Sequence, residues 1–214
     1  VPALRRLQDK PEEHSRLYLQ VVAALAFVTM PIATLMVVTA GDLIWVVLGP
    51  RWAEASTIFR YLGLSALVQP IYHTQSWVHT SLGRSKRLLR WGLIGSVAIV
   101  ASFLLGLPFG ARGVALAYAV AILMITWPCL WYAFRNTRIT MAKLLAAVSL
   151  PFAASLLAAA VGLVLGAALT EGWPPFRLAA VATGMALAYL GAFGVLPAGR
   201  QRIRELRHWA TLLR

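Results

Sequence analysis

Six charge-free apolar runs, each 21 to 27 residues long, divide the chain: Leu17 to Gly41, Tyr61 to Gly83, Trp91 to Ala111, Gly113 to Phe134, Leu144 to Thr170 and Leu178 to Gly199. Each is long enough to cross a bilayer. About 20 apolar residues at 1.5 Å rise span the roughly 30 Å hydrocarbon layer, and a helix satisfies its own backbone polar groups there. The runs predict an all-α fold, a polytopic transmembrane helical bundle with six membrane-spanning helices over residues 17–199. With 60% hydrophobic and 13% charged residues, the chain lacks the polar surface to cover a soluble core of this size, so lipid is its expected solvent.

The net charge of +13 raises the question of a nucleic-acid partner, but the cations sit at run ends rather than along one continuous face. Sixteen of the twenty fall into alternate gaps: Arg5, Arg6, Lys10 and Arg16; Arg84, Lys86, Arg87 and Arg90; Arg135, Arg138 and Lys143; and Arg200, Arg202, Arg204, Arg207 and Arg214. The other gaps hold Arg51, Arg60, Arg112 and Arg177. The positive-inside rule then places both chain ends and the basic gaps in the cytoplasm. No nucleic-acid partner is expected.

Residues 1–16, with Pro2 and Pro11 and mixed charges, read as a cytoplasmic connector. The chain opens on Val1 without a cleavable signal peptide, and is expected to be a fragment lacking an N-terminal part. A lone Cys129 inside an apolar run excludes an internal disulfide framework and reads as a packing or lipid-facing residue.

Pro31 sits near the middle of the first run, where a missing donor predicts a kink and a candidate hinge. The stretch GDLIWVVLGPRW, Gly41 to Trp52, is too short to span and predicts an outer re-entrant or interfacial segment, with Trp45 and Trp52 at headgroup level. The second helix is expected to start near Ala53. The third and fourth runs, joined only by Pro108 to Arg112, predict an antiparallel hairpin. Gly162 and Gly166 have GxxxG spacing, which fits close packing within the chain better than dimerisation. Residues 200–214 predict a basic amphipathic helix on anionic inner-leaflet lipids.

At 100° per residue, Ser65, Gln69, Tyr72, His73, Ser76, His79 and Thr80 fall within an arc of about 120° on the second helix. Lipid would penalise such a strip, so it faces protein or water. Two readings stand: a water-filled cavity for a polar cargo, with Pro70 as a second hinge, or interhelical hydrogen bonding in a static bundle. His73 and His79 lie about 120° apart, poorly placed to share a metal ion. No metal, cofactor or enzymatic activity is expected, because the sequence holds no paired intramembrane carboxylates, nucleophile elbow, H-E-x-x-H or phosphate-cradling glycine loop.

The strings PALRRLQDKPEEHSRLY, GDLIWVVLGPRW, LGRSKRLLR and GLPFGARGVALAYAV, in this order, resemble the C-terminal half of bacterial polysaccharide-repeat-unit flippases. These are the Wzx-like members of the polysaccharide transport family, within the multidrug/oligosaccharidyl-lipid/polysaccharide exporter superfamily. The resemblance implies the last four helices of a six-helix lobe of that superfamily plus an extra C-terminal helix pair, a partial fold in the bacterial cytoplasmic membrane. It also implies an undecaprenyl-diphosphate-linked oligosaccharide as cargo and a missing N-terminal lobe as partner. The alternatives are a drug/cation antiporter of the same superfamily, a cell-envelope membrane enzyme, or a non-catalytic membrane scaffold.

Overall fold

A computed structural model describes Leu4, residues 10–169 and residues 172–195. The basic tail 200–214 and residues 1–3 and 5–9 of the connector lie outside the described residues. All regular structure among those described is helical. Four helical stretches are long and apolar enough to cross a membrane: Pro11–Val38, Ser85–Phe134, Met141–Ala168 and Pro174–Gly194. Of the six expected spans, these four stretches are shown; Ser85–Phe134 holds the helices of both the third and the fourth run, and the second run is divided into shorter helices.

Helix α1 (Pro11–Val38) opens with Pro11 in its first turn, where the missing amide costs no hydrogen bond, and with Glu12 and Glu13 at the positive end of its dipole. Pro31 stays inside the helix. Lacking an N–H, it leaves the Phe27 carbonyl without its usual partner four residues on. The Tyr189 hydroxyl donates to that carbonyl at 2.8 Å, so the acceptor freed by the proline is satisfied from another helix. Tyr189→Phe is expected to lower stability by about 1 kcal/mol, measured as a denaturant midpoint in detergent; an unchanged midpoint would dissociate the bond from the proline.

After Thr39 the chain forms α2 (Ala40–Leu48), which turns Ala40, Asp42 and Ile44 inward and leaves Val46, Val47 and Leu48 exposed. Gly49, at φ +88°, ends it in a conformation that favours glycine, and a 3-10 turn over Pro50–Trp52 follows. This is the short apolar segment expected between the first two runs.

The second run breaks into α3 (Ala55–Ala66), α4 (Gln69–His73) and α5 (Gln75–Ser81). Pro70 lies in the first turn of α4 and removes a donor from the preceding turn. The Leu67 and Val68 amides fall back on carbonyls three residues earlier, Leu64 and Ser65. At Thr74 the hydroxyl donates to the Ile71 carbonyl, and the Thr74 amide takes the same acceptor. Local polar side chains thus replace part of the helical ladder.

Helices α6 (Ser85–Gly106) and α7 (Gly110–Phe134) form the expected antiparallel hairpin. The stacked Trp91–Tyr132 rings near one end and the Phe103–Tyr118 rings near the other fix the register. The chain reverses over Leu107–Phe109 and Gly110, whose φ is +68°. Helices α8 (Met141–Ala168) and α9 (Pro174–Val195) pack through Ala154 and Ala158 against Val181, Met185 and Tyr189. Gly162 lies against Met185 and Val38, while Gly166 faces open space, so this GxxxG pair serves the chain's own packing through its first glycine.

The basic gaps meet at one end. His14 reaches Ser81, Ser15 reaches the Arg138 carbonyl, and Arg84 reaches the Arg135 and Asn136 carbonyls. The cation-poor gaps gather at the other end, where Arg112 lies 3.7 Å from Glu54 and Arg177 clasps Asp42.

Candidate functional site

The breaks at Leu67–Val68 and Thr74 redistribute the polar strip. Ser65 is buried, and its hydroxyl donates to the Leu62 carbonyl at 2.7 Å. Ser76 similarly donates to the His73 carbonyl at 2.8 Å. Both hydroxyl protons are therefore spent locally. Gln69 donates across to the Tyr118 hydroxyl of α7 at 2.8 Å. The Tyr72 hydroxyl lies 3.0 Å from where a side chain at Gly95 would begin, so glycine lets α6 approach it. His73 and Thr80 are exposed. His79 is 0% exposed, its ring 5.9 Å from that of Tyr132. The structure thus brings Gln69, Tyr72 and His79 against the α6/α7 hairpin and turns His73 and Thr80 away.

Around His79 lie polar groups outside the predicted strip. Gln75 precedes it by one turn and is buried, and Trp91 stacks on Tyr132 at 5.8 Å. The Arg87 guanidinium lies over the Tyr132 ring at 5.8 Å. Gln75 Oε1, both ring nitrogens of His79 and Arg87 Nη1 are buried and find no protein hydrogen-bond partner. Buried polar groups are ordinarily paired, with protein or with water. Such atoms, clustered on the two neighbouring helices α5 and α6 beside Tyr132 of α7, form a polar patch able to bind small polar molecules.

The surrounding hydrogen bonds hold this cluster in place. Because the Thr74 proton goes to Ile71, Tyr18 of α1 is the donor in its 2.6 Å bond with Thr74. Ser81 sits 3.1 Å from the Val78 carbonyl and pairs with His14 Nε2 at 2.9 Å. Arg84 caps the carbonyls beyond α7 with both terminal nitrogens at 3.0 Å. Burial, then neighbouring Arg87, push the Arg84 guanidinium below its ordinary pKa. Amide, imidazole, indole and guanidinium groups together suit a ligand rich in hydroxyl or phosphate oxygens. Among the described residues, no three His, Cys, Asp or Glu side chains converge as a metal site.

His79 and Tyr72 were visible from strip periodicity. Gln75, Arg87, Trp91 and Tyr132 were not: Gln75 lies outside the projected arc, and the other three belong to separate runs or gaps. The one available signal was Arg87, a cation within one turn of Trp91 at the start of an apolar run.

A family described as "Polysaccharide biosynthesis protein" matches residues 1–57, which cover the connector, α1, α2 and the first turn of α3. No curated protein and no solved structure matches the chain. The matched description and the apolar helices fit a multi-pass membrane protein in polysaccharide synthesis.

Proposed function

We propose that the chain is the C-terminal part of a Wzx-like flippase that moves undecaprenyl-diphosphate-linked oligosaccharide repeat units across the bacterial cytoplasmic membrane, without covalent chemistry. The observation that carries this reading is the polysaccharide-biosynthesis match over residues 1–57, the segment that holds two of the resembling strings. The buried, unpartnered polar groups around His79 support a hydrated or ligand-holding interior over a dry scaffold.

On this reading the chain crosses six times. The arms of the α6/α7 hairpin, 22 and 25 residues long, would rise about 33 and 37 Å and cross once each. The broken α3–α5 segment supplies another crossing, its irregular backbone covered by protein. The end gathering Arg84, Arg135 and Lys143 is cytoplasmic, with the tail 200–214 on anionic lipid. An upstream lobe completes the cavity.

The test is complementation. The gene encoding the full-length protein should restore surface polymer and clear accumulated lipid-linked repeat units in a flippase-deficient strain of the same host. His79→Leu/Gln75→Leu should lower polymer output at least about tenfold at unchanged membrane abundance, the scale of two lost hydrogen bonds to a charged or hydroxyl-rich ligand. Failure of the unaltered gene despite verified membrane insertion would refute the flippase reading; full activity of the double variant would remove the cluster from it.

A further inference from the structure

A groove of about 540 Å³ opens between α1 and α8, with Phe193 of α9 on its wall. Its lining is mostly apolar, including Leu17, Ala24, Phe27, Ala147 and Pro151, with Gln20 as the uncharged polar exception. Two cations, Arg16 and Lys143, line the end that lies among the basic gaps, and no carboxylate is among the described lining residues. From Arg16 to Phe27 the helix rises about 16 Å, close to the roughly 15 Å half-thickness of a bilayer's hydrocarbon core. The groove is therefore one leaflet deep, charged at its headgroup end and apolar below.

We propose that this groove is a binding site for one anionic diacyl phospholipid, its phosphate between Arg16 and Lys143 and an acyl chain along Ala24 and Ala147. Charge complementarity selects this occupant. Lys143 gives one hydrogen to the Arg138 carbonyl at 3.3 Å, and its ammonium keeps two donors for a phosphate oxygen. Residues 196–214 follow α9 in sequence and are a competitor from the chain itself. They carry Arg200, Arg202, Arg204, Arg207 and Arg214 against Glu205 alone, so their charge opposes that of Arg16 and Lys143. The inference needs only that the chain sits in a bilayer, and it stands independently of the flippase reading.

The experiment is native mass spectrometry of the full chain released from micelles doped with equal amounts of phosphatidylglycerol and phosphatidylcholine of matched acyl chains. Phosphatidylglycerol adducts are expected to exceed phosphatidylcholine adducts by about tenfold, as two interfacial cations imply. Arg16→Gln/Lys143→Gln should abolish the preference. Ala146→Phe, at an exposed lining position, should reduce adducts of both lipids by crowding the groove. Arg135→Gln, an exposed cation at the same end, should leave the preference intact. Equal binding of the two lipids by the unaltered chain would overturn the proposal, as would a preference that survives the double substitution or is lost equally with Arg135→Gln. Displacement of phosphatidylglycerol by equimolar undecaprenyl phosphate would reassign the groove to a prenyl chain and overturn the committed occupant. The comparison within the unaltered chain stands even if a variant misfolds.

Discussion

Gly106→Ala is expected to destabilise the protein by about 2 kcal/mol, and Gly113→Ala by at least as much. A Cβ at Gly106 would lie 2.6 Å from the Val114 Cα and 2.7 Å from the Gly113 carbonyl oxygen; one at Gly113 would lie 2.6 Å from the Gly106 carbonyl oxygen and 2.3 Å from the Phe109 Cβ. The obstructing atoms are largely backbone, so rotamer changes cannot relieve the clash and the hairpin must open at its turn. Gly92→Ala in the same helix is the matched control, because nothing lies within 4 Å of a Cβ there. Alanine's better helix propensity should leave that variant neutral or more stable by up to about 1 kcal/mol. Cys129, the single cysteine, is fully buried in α7 against Trp91 and Ile122, so its reaction with a thiol reagent reports opening of this hairpin. Labelling midpoints that fail to separate Gly106→Ala from Gly92→Ala would show that the close approach carries no energy.

That hairpin was legible in the sequence because its cause is local. A five-residue connection between two apolar runs leaves no geometry other than an antiparallel return, and the glycines that permit the contact lie within the string that marks it. The meeting of the basic gaps at one end was legible for a similar reason: each apolar run reverses the chain, so alternation along the sequence becomes segregation in space. The second run resisted the same treatment. It is as free of charged residues as its neighbours, but Pro70 and the back-bonding hydroxyls of Ser65 and Thr74 divide it into three pieces. A 100° projection assumes one straight axis, and each break resets the phase. Residues placed on one arc, such as His73 and His79, therefore end on an exposed face and in a sealed interior.

The candidate site was only half legible. Periodicity finds polar residues that share one helix, and it found Gln69, Tyr72 and His79. Arg87, Trp91 and Tyr132 join them through the packing of α5 on the hairpin, a relation between runs that no single-helix pattern contains. The same limit hid the contact that ties α2 to α9, because its partners are 135 residues apart. In the sequence, Asp42 and Arg177 stand in separate cation-poor gaps, where neither announces a partner.

Removing Asp42 alone should therefore cost more than removing both residues. Arg177 donates through Nε to both carboxylate oxygens of Asp42, at 3.0 and 2.9 Å, and through a terminal nitrogen as well. The side chains keep 28% and 12% of their exposure, so the pair is desolvated enough to exceed an ordinary surface bridge without reaching the full cost of a buried one. Arg177 also sits in the first turn of α9, where a helix dipole disfavours a cation; Asp42 offsets that as well as the desolvation. Asp42→Leu is expected to lower stability by about 1–2 kcal/mol, because a partly buried guanidinium loses the carboxylate that its Nε and a terminal nitrogen bond. Asp42→Leu/Arg177→Leu should recover at least half of the loss, since apolar side chains pack where the charges were. A double-mutant cycle read by denaturant midpoints in detergent should return a coupling of about 1–2 kcal/mol. Additive losses would mean that the two charges do not hold α2 to α9, and that packing of Ala40 and Ile44 does so instead.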